Sequence, residues 1–178
     1  MISKYKKEAG MDFDQVISKR VSVRSFTEKS LKDDEIKVLL DAANKAPIAR
    51  GAYDDCALTV ISDKELLREM VEDYQKIRSV NKDPIYGAPL FILFSSKKDN
   101  TEKYEDAGCV IQNICLKATE MGIGSVYIRG MINSLGPDAA YIKKLGLDSN
   151  FVPVSGVAIG YTEKLPDPKD HKIETNYI

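Results

Sequence analysis

Between residues 106 and 121, Ala107, Val110, Ile111, Ile114, Ala118 and Met121 recur at strict helical spacing. Cys109, Cys115 and Leu116 add apolar character on other sides of the same helix. A helix that is apolar on more than one face has to be covered on more than one face, either inside its own domain or against a second subunit. Gly122 and Gly124 end it, and residues 125–128 read as a strand that delivers Arg129-Gly130.

The surrounding pattern supplies the rest of a mixed fold. Asp12 is a good N-cap for a first helix over 13–19, carrying Phe13, Val16 and Ile17. Ile36, Leu39, Leu40 and Ala43 predict an amphipathic helix over 33–45, which Pro47 prevents from continuing. A β-type run over 57–62 precedes Asp63, which caps a helix with Leu67, Met70, Tyr74 and Ile77 on one face. Residues 81–87 read as a loop, 89–95 as a buried strand, 137–144 as a short helix and 152–161 as a last strand. Helices and strands alternate without Asn-Gly hairpin signals, so an α+β sandwich is expected rather than an all-β fold. At 178 residues the chain fits one domain, with a flexible N-terminus over 1–10 and an extended C-terminal arm over 162–178.

Composition excludes several functions. Hydrophobic residues make up 43% and charged residues 30%, the balance of a globular protein, and the apolar run 88–94 is too short to span a bilayer. No membrane association is expected. The basic N-terminus has no apolar block behind it, so no secretory signal is read and a cytoplasmic location is expected. With 26 basic and 27 acidic residues, the footprint of a nucleic-acid binder is missing. Cys56, Cys109 and Cys115 lack metal-ligand spacing, so no metal is expected, and the last two read as buried structural thiols.

Gly122-x-Gly124 follows a helix and precedes a strand, the reverse of the dinucleotide fingerprint. The only histidine, His171, lies in the charged tail, which argues against a hydrolytic triad. In the alternating segment Arg20-Val21-Ser22-Val23-Arg24, an extended backbone points Arg20, Ser22 and Arg24 to one side. Two guanidiniums and a hydroxyl there make an anion site through charge-assisted hydrogen bonds, although such a triplet taken alone equally fits a solvated basic edge.

This Arg-x-Ser-x-Arg-x-Phe segment after a first helix is similar to the opening motif of the nitroreductase family. The stretch 106–130 resembles that family's central helix and following strand, and 145–169 its last core strand and crossing arm. The resemblance implies an α/β/α sandwich with a central, mostly antiparallel sheet, and a C-terminal arm exchanged between the subunits of a homodimer. It also implies an FMN cofactor at the subunit interface. Arg20, Val21, Ser22 and Arg24 would hold the phosphate, ribityl chain or pyrimidine edge, and the Ile128-Arg129-Gly130 turn would aim a backbone N–H at flavin N5. Lys169 or Lys172 would close over the phosphate. Asn81 would read the pyrimidine edge, and Pro47 would complete the set.

The activity implied is ping-pong transfer of hydride from NADH or NADPH, through FMN, to a nitroaromatic, quinone or flavin acceptor. No side chain is identified as certainly catalytic. One departure stands out: where many members carry Ser-Ser-x-Asn-x-Gln-Pro-Trp, this chain has Ile48-Ala49-Arg50-Gly51-Ala52-Tyr53-Asp54-Asp55 after Pro47. Arg50 and Tyr53 would then line the substrate pocket, or else be ordinary surface residues. The altered loop also motivates an alternative, an FMN-binding carrier or sensor with little turnover.

Overall fold

A computed structural model describes residues 11–137 and 139–178, so the expected flexible terminus over 1–10 lies outside the described residues. Helix α1 (Phe13–Lys19) begins on a reciprocal capping box, with Asp12 accepting from the Gln15 N–H and the Gln15 side chain accepting from the Asp12 N–H. Helix α2 (Asp33–Ala43) is followed by two short 3₁₀ turns, Ala49–Gly51 and Tyr53–Asp55, and strand β1 (Cys56–Ile61). Then come α3 (Lys64–Arg78), β2 (Leu90–Ser96), α4 (Glu102–Glu120) and β3 (Gly124–Ile128). A short α5 (Gly130–Leu135), a 3₁₀ turn over Ala140–Lys144 and β4 (Val152–Gly160) complete the order.

The four strands form one antiparallel sheet in the order β1-β2-β4-β3. All seven residues of β2 are buried, because helices cover both faces of the sheet and leave it no polar side. On one face α2 and α4 pack Leu39, Ala43, Val110, Ile111 and Ile114 against Ile92, Phe94, Val157 and Ile159. On the other, α3 and α5 pack Leu67, Met70, Met131 and Leu135 against Phe91, Leu93, Val126 and Ala158. The expected α/β/α sandwich with a mostly antiparallel sheet is what forms. Among the described residues, its one parallel contact is the bridge from Ser22 to Ser125 on the β3 edge.

Several details depart from expectation. Helix α2 stops at Ala43, two residues early, and α4 starts at Glu102, four residues before Asp106. Only a 3₁₀ turn occupies the region read as a helix over 137–144, and α5 was not foreseen although Met131, Ile132 and Leu135 have helical spacing. Ile77 is 54% exposed, because the buried face of α3 ends with Tyr74. Cys115 is buried as expected, but Cys109 is exposed.

The largest difference concerns α4. Its buried residues form one face, while Cys109 and part of Leu116 look outward, so one chain alone does not cover every apolar side. Phe13 at 67% and Ile17 at 51% exposure flank the same open region, a cleft of about 470 Å³ between α1, α2 and α4. Residues 162–178 form no helix or strand, and Ile173, Tyr177 and Ile178 are exposed. No helix of the described residues is long and apolar enough to cross a membrane.

Candidate functional site

The segment 20–27 lies across the ends of two strands. The Val23 N–H donates to the Ser125 carbonyl at 3.0 Å, and the Thr27 N–H donates to the Tyr161 carbonyl at 2.8 Å. Val23 is buried on Gly124, where an added Cβ would meet its methyl groups at 3.1 Å, while Arg20 and Ser22 stay half-buried and Arg24 is exposed. Of the alternating segment, Val23 turns inward, Val21 is half-buried like Arg20 and Ser22, and Arg24 lies open to solvent. Ion pairs engage Arg50, Arg68, Lys98, Lys117 and Lys144, and among the described residues Arg20 and Arg24 have no carboxylate partner. Two unpaired guanidiniums beside a hydroxyl are the donor set a phosphate requires.

The turn Ile128-Arg129-Gly130 sits at the far end of the same β3. Arg129 follows Ser125 by four steps along the chain, roughly 13 Å at strand rise. Gly130 opens α5, so its N–H has no partner inside the helix, and an added Cβ there would meet nothing within 4 Å. Arg129 is held by stacking, with its guanidinium carbon 4.1 Å from the centroid of the Tyr104 ring on α4. The open space over Gly130 and the unpaired cations along β3 fit an elongated phosphorylated cofactor such as FMN.

The other expected residues lie on separate segments. Pro47, Arg50 and Tyr53 belong to the loop beside the N-terminus of α4, and all three are exposed. The Tyr53 hydroxyl donates to the Ala46 carbonyl at 3.1 Å. Asn81 is exposed in the loop after α3, and Lys169 and Lys172 are exposed on the arm. The chain therefore places Ser22 and Val23, with Arg20, Val21 and Arg24 beside them in sequence, at the start of β3 and the 128–130 turn at its end, while Asn81, Lys169 and Lys172 lie on other segments.

A cluster that sequence reasoning missed holds the Pro47 loop. Lys98 and Asp106 form an ion pair at 2.7 Å with their side chains 5% and 3% exposed. Asp106 Oδ1 accepts from the Ala49 N–H at 2.8 Å, and Lys98 Nζ also donates to the Ala49 carbonyl at 3.2 Å. Next to them Arg50 has φ 59° and pairs with Glu102 at 2.6 Å. The hydrogen bond to Asp106 pushes the Lys98 ammonium pKa up, and Arg50 holds the Glu102 carboxyl below its usual range, so both stay charged at neutral pH. A signal was present: Asp106 stands one turn before Val110 on an otherwise apolar stripe.

Residues 17–79 and 68–161 match the model of the Nitroreductase family. A proposed NADH dehydrogenase/NAD(P)H nitroreductase of Archaeoglobus fulgidus is 29% identical over 164 residues, covering 89% of this chain and 86% of that one. An NADPH-flavin oxidoreductase of Vibrio harveyi is 24% identical, and the match covers 83% of this chain but only 65% of that longer protein. Among solved structures, a nitroreductase with bound FMN from Bacteroides fragilis superposes with TM-score 0.81 at 26% identity, covering 94% of this chain and 98% of that one. One from Desulfitobacterium hafniense, also with bound FMN, reaches 0.84 at 21% identity, covering 94% and 99%.

Proposed function

The chain belongs to the nitroreductase family, and we propose that this NAD(P)H-dependent FMN oxidoreductase passes hydride equivalents to nitroaromatic, quinone or free-flavin acceptors, as a homodimer in the cytoplasm. The observation that carries the reading is the pair of unpaired guanidiniums, Arg20 and Arg24, on the strand edge that ends in the open Gly130 turn. FMN, when bound, supplies the redox chemistry, taking hydride from the dihydronicotinamide and returning it to the acceptor. Arg20, Ser22 and Arg24 would bind and orient the phosphate end, with Val21 between them and Lys169 or Lys172 closing from the arm. The Gly130 N–H would donate at the isoalloxazine end, favouring charge that develops there. Asn81 and Pro47 would complete the cofactor contacts, and Arg50 and Tyr53 would face the substrate.

Since one pocket serves donor and acceptor, NAD(P)H has to leave before the acceptor binds, which gives ping-pong kinetics. Support for the dimer comes from the open apolar region of α1, α2 and α4, a patch that a lone chain would leave in water. The arm, polar along its length and apolar at Tyr177-Ile178, supports an exchange between subunits.

The test is direct. The purified protein is expected to bind FMN with the absorbance of a flavoprotein and to oxidise NADH or NADPH steadily when menadione is supplied. Bound FMN with no turnover would favour the carrier or sensor reading, and failure to bind FMN at all would overturn both.

A further inference from the structure

The loop 47–55 lacks the serine, asparagine and glutamine of the family pattern, yet it is held by its main chain. A buried ion pair pays a desolvation penalty that an apolar pair of the same volume avoids. Lys98 and Asp106 therefore need another reason to be charged, and the structure supplies one. Together they give a donor and an acceptor to both polar atoms of a single loop residue, Ala49.

The contacts spread from there. Arg50, next in the chain, is held in a left-handed conformation unfavourable for a side-chain-bearing residue, with Glu102 on its guanidinium. Glu102 is also 3.7 Å from Lys98 Nζ. Two members of this network, Lys98 and Arg50, line a polar cleft of about 560 Å³ together with Ala52, Asp55, Lys97 and Asn100 among others, a volume within the range of small-molecule sites. Two residues beyond Glu102, Tyr104 stacks on Arg129, so the loop and the 128–130 turn are both positioned from the first turns of α4.

We propose that Lys98 and Asp106 are positioning residues that fix the loop 47–55 as a wall of the acceptor site. Acceptor selectivity then depends on the main-chain hold on Ala49, which sets where the loop presents Arg50 and Tyr53. The proposal rests on the flavoenzyme reading above.

The double variant Lys98→Met/Asp106→Leu removes the clamp without leaving one charge buried alone. Asp106→Asn keeps the shape and one acceptor, and carries the same comparison if the double variant does not fold. Trypsin should cut the Arg50–Gly51 bond faster in the variants than in the wild type, a readout independent of turnover. The ratio of kcat/KM for menadione to that for p-benzoquinone should shift by about tenfold, the low end of what one pocket contact discriminates, and chiefly through the acceptor KM. Folded, FMN-loaded variants with wild-type cleavage rates and an unchanged ratio would overturn the proposal alone. A wild-type chain that binds no FMN would instead overturn the reading beneath it.

Discussion

Arg20 gives the sharpest test at the scale of single residues. It is half-buried, has no carboxylate partner among the described residues, and stands with Ser22 on the open side of the β3 edge. Arg20→Ala is expected to weaken FMN binding by about 1.5–3 kcal/mol, the range for a hydrogen bond to a charged group. Riboflavin, which has no phosphate, should lose much less. Titrations that quench flavin fluorescence measure both, and equal losses for the two ligands would make Arg20 a structural residue. Gly156 tests packing in the same way. An added Cβ would lie 2.3 Å from Phe91 Cζ and 2.8 Å from the Ile92 carbonyl oxygen, where β2 and β4 leave no room to shift. Gly156→Ala should cost about 1–3 kcal/mol of overpacking, read as a lower thermal midpoint.

Among the elements, the N-terminus of α2 is tied to the residue that follows β4, Tyr161. Glu35 accepts from the Lys32 N–H at 2.8 Å, part of the N-terminal capping of α2, and from the Tyr161 hydroxyl at 2.6 Å just after β4. Lys29 lies 3.9 Å over the Tyr161 ring. The Lys32 N–H first, and then Tyr161, hold the Glu35 carboxyl below its usual range. A depressed folded-state pKa contributes stability that is present above the ordinary carboxylate value and lost as pH falls through the folded value. Glu35→Gln should therefore flatten the acid limb of the stability curve below about pH 5 while changing its shape little above. Urea midpoints measured across that range decide it, and parallel limbs in the two proteins would contradict the assignment.

For the whole molecule, the open question is what covers α1, the outer side of α4 and the arm. If a second copy does, assembly and flavin binding are linked, because a ligand at the interface favours the assembled form by mass action. Truncation after Lys164 should then lower both dimer stability and FMN retention, since it removes Lys169, Lys172 and the apolar Tyr177-Ile178 together. Size-exclusion chromatography with light scattering reads the first and flavin absorbance the second. A folded, FMN-loaded monomer at micromolar concentration would sink the dimer.

Much of this molecule follows from short-range pattern alone. Apolar period makes α4, α3 and β2 legible, Asp12 and Asp63 mark helix starts, and the alternation of 20–24 predicts three polar side chains on one side. These features are local, so neighbours in the chain are enough to specify them. Contacts between distant segments are not. In 128–135 the helical spacing of Met131, Ile132 and Leu135 spans little more than one turn, too short to specify α5 by itself, and packing of Met131 and Leu135 onto α3 and the sheet completes it. Likewise, Asp106 breaks an apolar stripe in the sequence, but nothing local names its partner Ala49, which lies 57 positions away. Only the tertiary structure buries the Lys98 and Asp106 side chains against the half-buried Ala49, where two ordinary charges become the clamp that holds the loop.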